Sequence, residues 1–153
     1  MLTVLQRCHH ALMGILTDYF IAPDAAAAAG ALLQGPASTF TTLEGNGIEP
    51  TVHLWTLEEI LTGRSFEEIL DDESDPIAED DDGSLVLPVS ELLLDVLIDA
   101  PAERIQTAAE AWSTSEELAG ADPEALVAFL DGLAELARAA RAAHSTIYCW
   151  VCV

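Results

Sequence analysis

Thr146-Ile147-Tyr148-Cys149-Trp150-Val151-Cys152-Val153 decides how this chain folds. β-Branched and aromatic residues fill it, the composition of a strand. The segment before it carries the clearest helical pattern in the sequence. Asp122 at the cap and Pro123 at the first turn open that helix, and Leu126, Phe129, Leu130, Leu133, Leu136, Ala137 and Ala140 recur along one face. Arg138 and Arg141 near its C-terminal end suit the macrodipole. A second apolar strand stands near the other end, at Gly14 to Ala22. There Ile15, Tyr19 and Ile21 fall on one face and Leu16, Phe20 and Ala22 on the other, with Asp18 interrupting the second set. Apolar strands at both ends, with helices between them, predict a mainly helical α+β domain. Its small central sheet is built from the N- and C-terminal strands as neighbours.

The intervening residues predict the helices. Pro23 and Asp24 precede an Ala-rich helix from Ala25 to Leu33, stopped by Gly35 and Pro36. Thr39 to Leu43 reads as a short strand, and Glu44-Gly45-Asn46-Gly47 as a turn. Thr56 with Glu59, then Ser65 with Glu68, are two capping boxes that predict two short helices in succession, separated by Gly63. Leu85 to Leu87 reads as an edge strand, Ser90 caps a helix with Leu93, Val96 and Leu97 inward, and Pro101 opens another carrying Ile105, Ala108, Ala109 and Trp112. One domain over 13–153 is expected, with residues 1–12 as an extension and Met13 as an alternative start.

Charge bounds the function more tightly than any motif. The chain has 27 Asp plus Glu against five basic residues, all arginine, for a formal net charge of -22. Such a surface repels nucleic-acid phosphates and anionic lipid and attracts cations or basic proteins. With 51% hydrophobic residues the acidity belongs to a folded body rather than a disordered tail. Its densest run is an acidic loop at about 71–83, where Asp71, Asp72, Glu73, Asp75, Glu79, Asp80, Asp81 and Asp82 are candidate partner-binding residues. The apolar stretches are too short and too often interrupted by charge to span a membrane, and three cysteines do not make a disulfide framework, so a cytoplasmic protein is expected.

No constellation with familiar chemistry is complete. Cys149-Trp150-Val151-Cys152 has redox spacing but lies in a strand, where residues three apart point to opposite faces, so two buried and inert thiols are expected. A zinc site would need Cys8 with His9 or His10 as well. Aligning Gly83 with the glycine of an EF-hand loop puts Ala78 and Val89 where carboxylate ligands are required. His53, with Glu44 and Glu49 near in sequence, is a general-base candidate, and Asp18 a second carboxylate, yet neither has a nucleophile beside it. Neither a cofactor nor a metal is expected.

Met13-Gly14 opens a strand carrying Tyr19; an early helix follows, then Val52-His53-Leu54-Trp55 leading to Leu61-Thr62-Gly63, and a long final helix runs into an apolar strand. This layout resembles the YfbM-like family of small bacterial proteins of unknown function. The family pattern has a Trp-His pair ahead of the Leu-Thr-Gly, whereas here His53 comes first and Leu54 separates it from Trp55. The resemblance implies an α+β fold and brings no activity or site residues. The sequence thus points to a small acidic bacterial protein acting without catalysis, by association with a basic protein partner, as an immunity-like inhibitor, an adaptor or a decoy. Self-association is compatible with it. The alternative is a metal-dependent or His/carboxylate hydrolase using His53, Asp18 and the acidic-loop carboxylates.

Overall fold

A computed structural model describes residues 16–72 and 75–152, and the expected N-terminal extension over 1–12 lies outside the described residues. Strand β1 (Leu16–Ala22) pairs antiparallel with β5 (Thr146–Cys152) along its whole length, Leu16 opposite Cys152 and Ala22 opposite Thr146. The terminal strands are therefore the neighbours that their composition predicts. Strands β2 (Thr42–Glu44), β3 (Ala78–Glu79) and β4 (Leu85–Pro88) complete an antiparallel sheet in the order β2-β1-β5-β4-β3.

Alternation along the strands divides the interior into two clusters. Tyr19, Leu87, Ile147, Cys149 and Val151 face the larger one. This face is covered by α6 (Pro123–Ala142), which carries α4 (Glu91–Asp99) and α5 (Ala102–Ser113) against it, with α2 (Val52–Thr62) packed on α4 and α5. Phe20, Ala22, Val86, Tyr148, Trp150 and Cys152 face the smaller cluster, closed by Ala28 and Ala31 at and after α1 (Ala25–Ala29). Trp112 and Trp150 are fully buried, and each indole N–H is satisfied, by the His53 carbonyl at 3.0 Å and the Leu32 carbonyl at 2.9 Å.

Three local expectations need correction. Helix α2 begins at Val52, not Thr56, whose hydroxyl instead donates to the Val52 carbonyl at 3.0 Å inside the helix. A cap is worth about 1 kcal/mol, whereas burying a leucine is worth about 2 kcal/mol. Starting early places Leu54 in the core beside Leu57 and Leu61 and positions the His53 carbonyl for Trp112, so burial outweighs the cap. Helix α1 stops at Ala29 and tightens into turns in which Gly30, Ala31 and Leu32 each donate to the carbonyl three residues back. The Leu32 carbonyl is then free for Trp150. Finally, β4 is not an edge strand, because Ala78 and Glu79 from the acidic segment pair with Val86 and Leu85 outside it.

Gly45 shows why the turn after β2 needs a glycine. Its φ is ordinary, but an added Cβ would lie 2.3 Å from Thr17 Oγ1 and 2.7 Å from Tyr19 Cε2. The turn is pressed that closely against β1, and Gly47 N–H also donates to Thr17 Oγ1 at 3.2 Å.

Candidate functional site

The acidic segment starts on α3 (Phe66–Asp71), which Ser65 caps by accepting from Glu68 N–H at 3.2 Å. It is partly a built hairpin rather than an open loop. Ile77 N–H donates to the Val86 carbonyl at 2.9 Å, and Asp80 Oδ1 accepts from the backbone N–H groups of Asp82 (3.0 Å) and Ser84 (2.9 Å), while Gly83 takes φ 92°. Asp80 therefore organises the β3–β4 turn. Asp72 is exposed as well, but its carboxylate is paired, accepting from Arg64 Nη2. Asp71, Asp75, Glu79, Asp81 and Asp82 are exposed and form no ion pair among the described residues. Glu73 lies outside them.

The residues of the hydrolase alternative do not meet. His53 Nδ1 accepts from Glu49 backbone N–H at 2.9 Å, so that ring nitrogen serves the entrance of α2 and not a carboxylate. Asp18 is buried in β1 on the Phe20 face, with the sheet between it and α2. Among the described residues no group of three or more His, Cys, Asp or Glu is placed to hold a metal ion. The zinc set with Cys8, His9 and His10 lies outside the described residues.

Cys149 and Cys152 diverge as strand geometry requires, Cys149 into the larger cluster and Cys152 into the smaller. Cys149 is a free, buried thiol, and desolvation holds its pKa well above the ordinary value. Cys152 is disulfide-bonded, which corrects the expectation of a second inert thiol.

A cavity of about 420 Å³ opens where α2, α3 and the start of α4 approach the ends of β4 and β5. Leu54, Trp55 and Tyr148 are among its walls. On its α2 side Glu58 is 1% exposed, its Oε2 accepting from Arg64 Nη1 at 3.0 Å. Arg64 Nη2 donates to Asp72 and, at 3.4 Å, to the Glu68 carbonyl. The flanking carboxylates raise the guanidinium pKa, chiefly through the Asp72 hydrogen bond. Gly63, in the left-handed region at φ 75°, turns the chain back so that Arg64 reaches Glu58.

Asp72 belongs to the acidic run read from the sequence, but no motif singled out Glu58 or Arg64, although two signals carry them. Glu58 occupies the apolar stripe Leu54, Leu57, Leu61 of its own helix, and Arg64 is the only basic residue between Arg7 and Arg104. Among the described residues no helix is long and apolar enough to cross a membrane. No family model, no curated protein and no solved structure matches the chain.

Proposed function

We propose that the protein acts by association with a basic protein partner, its exposed carboxylates making first contact. The observation that carries this reading is the cluster of Asp75, Glu79, Asp81 and Asp82 on and beside one hairpin, exposed and with no ion pair among the described residues. The four described arginines are already engaged elsewhere. Arg64 and Arg141 pair with carboxylates, while Arg104 and Arg138 donate to the carbonyls of Leu61 and Ile98. A hairpin bearing exposed negative charge speeds encounter with a cationic surface and rejects nucleic acid. The separation of His53 from Asp18 supports association over hydrolysis.

The test is affinity capture from native lysate at low and moderate ionic strength, with the protein and with an Asp75→Asn, Glu79→Gln, Asp81→Asn, Asp82→Asn variant. A basic partner held by the parent and released by salt, and lost from the folded variant, is the expected result. Capture of the same partner by both proteins, or of acidic partners only, rejects the reading.

A further inference from the structure

We propose that the cavity beside Glu58 binds a small organic amine, its apolar stem against Leu54 and Trp55 and its ammonium directed to the carboxylates around Arg64. The site is independent of the association reading, which rests on the hairpin. Its volume falls within the range of small-molecule sites, and its walls combine apolar surface with a few convergent charged groups. Among the described residues, the charged side chains lining it are Glu58, Asp72 and Glu91 against Arg64, so this lining is anionic in sum.

The sign of the ligand follows from how Arg64 is used. Nη1 donates to Glu58, and Nη2 to Asp72 and the Glu68 carbonyl, so the single positive charge is already offset by two carboxylates and an incoming anion would meet both of them. The start of α4 gives no anion site either, because Glu91 already places a carboxylate in its first turn. Two carboxylates share one guanidinium, leaving acceptor capacity for an additional cation. Tyr148, on the β5 side, is raised above the ordinary phenol pKa mainly by burial, with smaller contributions from the charges of Asp24 and Glu91. Trp55 packs edge-on to Phe66 with centroids 5.8 Å apart, which holds its ring in place at the cavity. An indole face beside a partly desolvated cation adds attraction that a neutral ligand would not gain.

The experiment is a titration of the full chain, followed by two-dimensional NMR, with three probes of one shape: phenethylamine, phenethyl alcohol and phenylacetate. Saturable shifts at the Trp55 indole and at residues 88–93 are expected for the amine, with the alcohol weaker by about tenfold or more and the acid silent. Glu91→Gln, at an exposed position, should weaken the amine roughly two- to fivefold with the fold unchanged, which keeps the test independent of whether a Glu58→Gln variant folds. Equal binding of alcohol or acid, shifts that map away from the cavity, or no saturation would overturn the proposal. Tighter binding of lysine with both termini blocked would overturn it too, making the occupant a partner's side chain.

Discussion

Tyr19 Oη donates to the Ile48 carbonyl at 2.6 Å inside the core, tying β1 to the segment that leads into α2. Tyr19→Phe keeps the edge-on contact with Phe129 but leaves that carbonyl buried and unpaired. The expected loss is ~1–2 kcal/mol, seen as a lower urea midpoint at unchanged slope. Directly opposite Tyr19 in the sheet is Cys149, and burial raises the pKa of both groups well above their ordinary values. Each is a protonated acid in the folded state, so the unfolded chain releases its protons first, from about pH 8.5 for the thiol and about pH 10 for the phenol. Their contribution to stability is therefore complete below about pH 8.5 and is lost as pH climbs towards the folded values. Urea titrations across this range should show falling stability, and Cys149→Ala should flatten the first part of the fall. An unchanged slope in the variant would mean that the thiol does not titrate differently in the two states. At this scale the core was legible from alternation alone, since Tyr19 and Phe20 go to opposite clusters as their parity requires. Asp80 was not, because a run of carboxylates conceals which member turns back on its own backbone.

Helix starts mark where local signals stop deciding. Ser65 and Thr56 carry the same capping signature, yet only Ser65 accepts from the residue three further on, and its hydroxyl also donates to Glu68 Oε1 at 3.2 Å. Ser65→Ala should cost ~1 kcal/mol, while Thr56→Ala should fall within about 0.5 kcal/mol of the parent. Equal losses in thermal or urea unfolding would return the start of α2 to Thr56. The difference is tertiary: Leu54 and the His53 carbonyl are wanted by α5 across the core, and no short pattern near Thr56 records that demand. The long-range strand pairing of β1 with β5 was easier to foresee, because both strands are apolar in composition and can be buried only against each other and the helices. The two residues of β3 were unreadable for the opposite reason, since Ala78-Glu79 has no strand composition and is ordered by its partner β4.

The net charge of -22 acts on the molecule as a whole. Self-repulsion lowers the stability of the compact state at low ionic strength, so moderate salt or millimolar divalent cations should raise the melting temperature. Replacing Asp80, Asp81 and Asp82 together by Asn should reduce that salt response with the fold intact, because an asparagine side-chain oxygen can still accept at the Asp80 position. Unfolding of the triple variant would show that the hairpin needs the charges themselves. The central pairing of β1 with β5 joins segments far apart in the sequence, so closing the middle of the sheet carries the loop-closure entropy of the long stretch between them. Topology thus sets a kinetic penalty distinct from any contact energy. Joining Val153 to Met1 through a short flexible loop and reopening the chain between the exposed residues Asp81 and Asp82 would bring that pairing close in sequence while keeping every cysteine. The rearranged chain should reach the same sheet with a faster refolding phase in stopped-flow fluorescence, the mark of a fold whose speed is set by the order in which its parts are strung.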